Sequence, residues 1–355
     1  MSYFFYLALR DACLRDWLLL GVFAGLGIMA KYYTLALLAS MGLCLLRAPY
    51  RMQLSTIKPY LAALICIAII TPHIIWLIAH DFVTITYVFE RTRNEASWLN
   101  HLIFPAQFFY EQAEVFLPSL VLFVVFFARD VCFNHLKHLP PLTRHFIFYI
   151  AFGPFLLTLL LSVFFGITLR AGWGVPLQSF WGLALAATLS PLASFKRLKQ
   201  FLITLFSLVF LFAGAYAFSL AGVKNTSTAN FPGKALAKRV TAAWHEQYQT
   251  PLPYVAGWRW LGGNVAYYSP DHPAVFMEWN KRRTTWFNEA ALREKGAVFL
   301  WYLDEYPTTP KELLQAYPHL GPQQTLHLTW HRSKLHAKPL RLGMAFLPPA
   351  KSATA

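Results

Sequence analysis

The chain reads as a polytopic α-helical membrane protein of about seven spans that ends in a small soluble α/β domain. Three observations predict this. Apolar residues make up 57% of the 355 positions and charged ones only 13%, the balance of a chain adapted to lipid. Long apolar runs follow one another as far as residue 222, separated by short charged breaks, and a helix needs roughly 20 such residues to cross about 30 Å of hydrocarbon. Beyond that point the composition becomes that of an ordinary soluble domain, so residues 1–222 and 223–355 are the two expected domains.

The spans are expected over residues 17–30, 33–46, 60–80, 112–128, 146–166, 174–192 and 201–221. The first two admit another reading, a single long tilted helix. Arg10 and Arg15 precede this pair, and Arg47, Arg51 and Lys58 follow it. Placing both flanks in the cytoplasm, as positive-inside counting requires, makes the segment a hairpin with Lys31 at its outer turn. The breaks 129–145 and 195–200 then also face the cytoplasm. The breaks 81–111 and 167–173 and the C-terminal domain lie outside.

The formal net charge of +15 comes from basic residues scattered among the breaks, with no single stripe or patch, so no nucleic-acid partner is expected. Cys13, Cys44, Cys66 and Cys132 form no CxxC or CxxxH pair. That spacing argues against zinc or a disulfide framework; no cofactor is expected either. The opening residues have no cleavable signal-peptide pattern.

Three polar groups collect on the outer side. Lys31 ends the glycine-bearing run GLGIMAKYYTLALL, in which Gly21, Gly25 and Gly27 permit close helix packing. An ionisable residue in apolar sequence faces a cavity or a partner, or else snorkels to the headgroups; here a cation for an anionic headgroup is one reading and an anchor the other. The second group is PHIIWLIAHDFVTITYVFERTR, residues 72–93. Pro72 is expected to kink or end its helix, and His80-Asp81 to mark the membrane exit. Arg91 and Arg93 suit forked recognition of phosphate oxygens, against the alternative of pairing with Glu90 or Glu95. The third is TLRAGWGVP, where Arg170 and Trp173 occupy a short outer turn, as phosphate-side cation and aromatic or as an interfacial anchor pair.

These segments resemble the integral-membrane glycosyltransferases of family 39, which include protein O-mannosyltransferases and the bacterial lipid A aminoarabinose transferase. GLGIMAKYYTLALL resembles the family's glycine-rich span ending in lysine. The 72–93 segment resembles its proline-tryptophan span with a His-Asp-Phe exit and downstream arginine, and LRAGWGVP its later turn with arginine and tryptophan before a proline. PLPYVAG, AYYSPDHPAVF and TTWFNEAAL resemble the periplasmic portion of bacterial members. The resemblance implies a GT-C fold in a bacterial inner membrane, with the C-terminal domain periplasmic. It also implies transfer of a sugar from a polyprenyl-phosphate donor to a saccharide, lipid or protein acceptor at the outer face. Lys31 matches the family lysine that neutralises the lipid phosphate, and Arg91 or Arg93 a second phosphate contact; Tyr32, His80, Asp81, Arg170 and Trp173 complete the expected site surface. The family's acidic base lies in a first outer loop well upstream of the glycine-lysine segment. About 30 residues precede Lys31 here, so the chain is expected to be N-terminally truncated, with its catalytic base unassigned. A transporter and an inactive accessory subunit are the alternatives.

In the C-terminal domain, KALAKRVTAAWHEQY carries Leu236, Val240 and Trp244 at helical spacing. PYVAGW, AVFMEW and AVFLWYL read as strands, and WFNEAALREKG as a helix closed by Gly296. QTLHLTWHR and PLRLGMAFLPP read as strands, possible antiparallel partners. Gly262-Gly263 is expected to be a turn and Lys281, Arg282 and Arg283 solvated surface. Of Trp258, Trp260, Trp279 and Trp286, most are expected in the core, with stacking on sugar rings as the other use. Asn225-Thr226-Ser227 matches a glycosylation sequon.

Overall fold

The structure, a computed structural model, describes residues 1–92, 97–127, 138–189, 195–220, 226–331 and 338–350. The chain divides into two compact units, Met1–Ser207 and Leu208–Ala355.

The first unit is helical throughout: α1 (Ser2–Asp11), α2 (Leu14–Ala30), α3 (Thr34–Leu46), α4 (Lys58–Ala79), α5 (Val83–Thr92), α6 (Asn100–Phe127), α7 (Pro141–Phe165) and α8 (Trp181–Leu189). The helix α9 (Phe195–Leu220) carries the chain across the division into the second unit. Among the described residues, α4, α6, α7 and α9 are long and apolar enough to cross a membrane. These four do not confirm the expected count of seven. With 13 residues, α3 rises only about 20 Å, short of the roughly 30 Å of a bilayer core. No residue of α9 is buried, so its apolar stretch from Phe201 to Leu220 needs lipid or another protein surface to cover it.

Element boundaries differ from expectation where charge sits inside a helix. The cytoplasmic break expected at 195–200 is helical and forms the first turns of α9; lysine and arginine favour helix, and their stems reach outward from apolar surroundings. Likewise α6 begins at Asn100, well before the expected 112. Pro72 does not end its helix: α4 runs through it to Ala79.

Lys31 does divide two helices, as the hairpin reading requires. Its backbone is extended (φ −162°, ψ 129°) between α2 and α3. Gly21 and Gly25 face α4, where a side chain on Gly21 would meet the Ala62 backbone and one on Gly25 would stand 2.8 Å from Ile69 Cβ. This small-xxx-small stripe lets α2 and α4 run side by side in the same direction. Next to them, α3 packs antiparallel on α7, with Ser40 Oγ donating to the Tyr149 carbonyl at 2.5 Å across Gly153. At one end of the bundle Lys58 Nζ donates to the Ala12 carbonyl (2.6 Å), Tyr50 bonds His145 (3.0 Å) and Tyr6 bonds Thr143 (3.0 Å). The other end carries Lys31.

The second unit contains a five-stranded sheet of β1 (Tyr254–Gly257), β2 (Ala274–Met277), β3 (Ala297–Tyr302), β4 (Gln324–Leu328) and β5 (Leu340–Leu347), in the order β2-β1-β3-β5-β4. β2, β1 and β3 run parallel; β5 is antiparallel to β3 and β4 antiparallel to β5. One face packs on α10 (Gly233–Tyr248) and α11 (Arg259–Tyr268) through Leu236, Val240, Trp244, Leu261 and Val265. The other packs on α12 (Glu289–Lys295) and α13 (Lys311–Ala316) through Leu292 and Leu313. Gly262 and Gly263 are not a turn but lie within α11, where Gly262 lets the helix close onto Val275 of β2. The basic run is partly ion-paired: Lys281 bonds Glu289 and Arg283 bonds Glu278. Trp260 and Trp286 are exposed, while Trp258 and Trp279 are half-buried with ring centres 6.5 Å apart. Asn225 lies outside the described residues.

Candidate functional site at the Lys31 end of the helical bundle

Three consecutive residues between α2 and α3 reach three different parts of the first unit. Lys31 is exposed, with its ammonium 5.8 Å from the centre of the Tyr33 ring, a distance at which the ring face attracts a cation. Tyr33 in turn stands 6.2 Å from the ring of Trp173. Between them, the Tyr32 hydroxyl shares hydrogen bonds with His73 Nε2 (2.5 Å) on α4 and Thr84 Oγ1 (2.9 Å) on α5. One loop therefore ties α4, α5 and the segment after α7 to a single place.

The turn from α4 to α5 makes the Thr84 contact possible. Asp81 (φ 51°) and Phe82 (φ 52°) both sit in the left-handed region, which is sterically costly for a phenylalanine. Phe82 N–H closes the turn by donating to the Leu77 carbonyl at 2.9 Å. Because α5 folds back, Thr84 returns to the level of Tyr32. Along α4, His73, Trp76 and His80 form a stacked ladder, with ring centres 5.8 Å and 4.4 Å apart.

The outer turn expected at 167–173 instead enters the bundle, and the span expected from 174 opens with a short helical turn before α8 begins at Trp181. His101 at the start of α6 donates to the Val163 carbonyl at 2.7 Å, near the end of α7. Gln112, three turns further along α6 and fully buried, donates to Ala171 O at 3.0 Å and accepts from Gln178 Nε2 at 2.9 Å. The chain thus descends from Gly166 into the bundle by about 16 Å, the rise of the helix between His101 and Gln112. Two short helical turns, Ala171–Gly174 and Val175–Gln178, make this descent. The reason is polar satisfaction. Irregular backbone survives among apolar helices only where protein supplies its hydrogen bonds, and the Gln112 amide does so. Gly174 leaves the space, since a side chain there would collide with Gln112. Trp173 reaches Tyr33 because of this descent, below the rim formed by α6 and α7. Phe108, Phe155, Leu169 and Leu177 form a buried apolar cluster there, with Tyr33 packed against it.

Of the predicted site residues, Lys31 and Tyr32 are neighbours in one loop, and Trp173 is linked to that loop through Tyr33. His80 and Asp81 form the turn that returns Thr84 to Tyr32, and exposed Arg170 stands at the head of the short helical turn that carries Trp173. Arg91 belongs to the last turn of α5 by its backbone, and Arg93 lies outside the described residues. Sequence reasoning missed Tyr33, His73, Thr84 and Gln112. His73 directly follows Pro72, and a histidine and a glutamine within spans are the polar signals that point to them. It also placed Glu111 in a loop, whereas Glu111 sits in α6 beside Gln112. One of its oxygens accepts from Gln107 Nε2 at 2.9 Å, and the other is buried with no hydrogen-bond partner among the described residues. Chemically the cluster offers an ammonium beside the Tyr33 ring, a hydroxyl–imidazole pair and a nearby apolar cluster, which suits an anionic group on a lipid chain. Among the described residues, no group of three or more His, Cys, Asp or Glu is arranged to hold a metal ion.

Residues 1–76, from α1 to the last turns of α4, match the sequence model of the family described as dolichyl-phosphate-mannose-protein mannosyltransferase. Neither the curated proteins nor the solved structures give a match. The matched stretch contains Lys31, Tyr32, Tyr33 and His73, and it supports kinship with family 39 glycosyltransferases over that part of the chain.

Proposed function

We propose that this protein is an integral-membrane glycosyltransferase that takes a sugar from a polyprenyl-phosphate carrier and passes it to an acceptor at the outer face of a bacterial inner membrane. The observation that carries this reading is the chain of contacts from Lys31 to Tyr33 to Trp173 at one end of the bundle, with Lys31 and Tyr33 in the stretch that matches a family named for a lipid-phosphate sugar donor. Lys31 binds the carrier phosphate and stabilises the charge it gains as the glycosidic bond breaks. Preorganised cations of this kind act most strongly where water is excluded. Tyr32 and His73 hold the Lys31 loop in place, Arg170 and Trp173 line the donor side, and Arg91 or Arg93 supplies a second phosphate contact. The Lys31 end is the periplasmic one, because the opposite end gathers Arg10, Arg47, Arg51, Lys58 and Arg144. The C-terminal unit is then periplasmic as well.

The test is transfer from a polyprenyl-phosphate mannose or aminoarabinose donor by membranes carrying the protein. Lys31→Ala should lower the rate by about two to three orders of magnitude, the range for losing one preorganised charge-stabilising group, while the protein stays in the membrane. Transfer by Lys31→Ala at the unaltered rate would reduce the lysine to an anchor and remove the basis of this reading.

A further inference from the structure

The second unit contains a cavity of about 500 Å³ at the carboxyl end of β3, lined by Leu303, Asp304, Gln323, Thr325, His327 and Arg341, with Pro307 at its rim. That volume falls within the roughly 300–1,000 Å³ typical of small-molecule sites. The cavity lies on the side of β3 away from β1, where β5 and β4 complete the sheet. Leu303 and Asp304 directly follow that end of β3.

We propose that this cavity binds a neutral saccharide. Asp304 and Arg341 form an ion pair at 2.5 Å, so their formal charges cancel and the cavity favours neither an anion nor a cation. Both groups keep further donors and acceptors, and a paired carboxylate and guanidinium match adjacent sugar hydroxyls, which donate and accept at once. Gln323 adds an amide, Thr325 a hydroxyl and His327 an imidazole. Thr325 and His327 point to the same face of β4, and His327 lies opposite Arg341 in the β4–β5 register. Leu303 and Pro307 supply the apolar surface that the C–H face of a pyranose requires.

The lining is held in place from outside the cavity. Arg239 on α10 donates to the His327 carbonyl at 2.9 Å, and Gln323 Nε2 donates to Pro307 O at 3.3 Å. Beside them the Trp301 ring lies over Gly343, where a side chain would collide with it, and its buried indole N–H has no hydrogen-bond partner among the described residues. The two bonds from Arg239 and Gln323 hold the His327 backbone and the Gln323 amide before a ligand arrives, which lowers the ordering cost of binding.

Saturation-transfer NMR on the full chain in deuterated detergent tests this, with maltose, lactose and mannobiose as neutral probes and glucuronic acid and glucose 6-phosphate as charged ones. At least one neutral disaccharide should show saturation of its ring protons. Thr325→Trp, which fills the cavity from an exposed strand position, should weaken its binding by about tenfold or more. Gln323→Ala, a surface truncation, should weaken it in the same direction. Lys31→Ala should leave it unchanged, so this result stands apart from that of the membrane site. Absence of neutral-sugar binding, binding of the charged probes alone, or binding indifferent to both cavity variants would overturn the proposal.

Discussion

Tyr32 joins helices that are far apart in sequence, since its single hydroxyl serves both His73 and Thr84. Tyr32→Phe keeps the ring and removes that shared partner, so both groups lose a hydrogen bond. The expected cost is about 1–3 kcal/mol, read as a lower thermal midpoint in detergent together with reduced transfer; an unshifted midpoint would show that the two bonds contribute nothing. In the second unit, Glu289 gives a pH-dependent prediction. Burial pushes its carboxyl pKa up, but hydrogen bonds and attraction from Lys281 and Arg293 outweigh this and hold it below the ordinary 4.5. A carboxyl depressed in the folded state adds stability above its unfolded pKa and loses it as pH falls through the folded one. Wild-type stability should therefore decline below about pH 4.5, and Glu289→Gln should flatten that decline. Thermal midpoints followed by tryptophan fluorescence across that window check it, and parallel curves for the two proteins would rule out the carboxyl as the source. Lys31 was legible in the sequence because a lysine in an apolar run stands out. Tyr33 and Thr84 were not, since nothing in a tyrosine beside another tyrosine, or in one threonine of a helix, announces its partner.

At the scale of elements, packing depends on small residues at defined positions. Gly21 and Gly25 bring α2 against α4, and their spacing was readable in advance as a packing stripe. Gly21→Leu should force the helices apart at a cost of about 1–3 kcal/mol or more, seen as a lower detergent melting temperature; an unchanged melt would mean that α2 and α4 are not packed as described. The strands of the second unit and its helices α10 and α12 were equally legible, because apolar runs between turn residues define them. The short helix α13 was not read, and two further segments were misread. Gly262-Gly263 has the composition of a turn, yet tertiary packing on Val275 overrides local propensity and keeps it helical. The 167–178 segment carries glycine, proline and arginine, the signs of a surface turn. It enters the bundle because Gln112, more than fifty residues earlier, satisfies its backbone, and a long-range partner of that kind leaves no local mark.

On the scale of the whole molecule, composition divides the chain at residue 222, whereas the compact units divide between Ser207 and Leu208, within α9, because contacts and not hydropathy define them. The count of crossing helices was less legible, since α2 and α3 are apolar but short. Placement of three polar groups at one end of the first unit was readable from the alternation of charged breaks, and the contacts of Tyr32 and Tyr33 show Lys31, Thr84 and Trp173 gathered there. The proposed enzyme depends on that end holding a phosphate on a lipid chain. The most direct measurement is ³¹P NMR of decaprenyl phosphate added to the full protein in nanodiscs. The account predicts a shifted, broadened phosphate signal with the wild type, partly kept by Lys31→Arg and lost in Lys31→Ala. An identical signal with wild type and Lys31→Ala would contradict it.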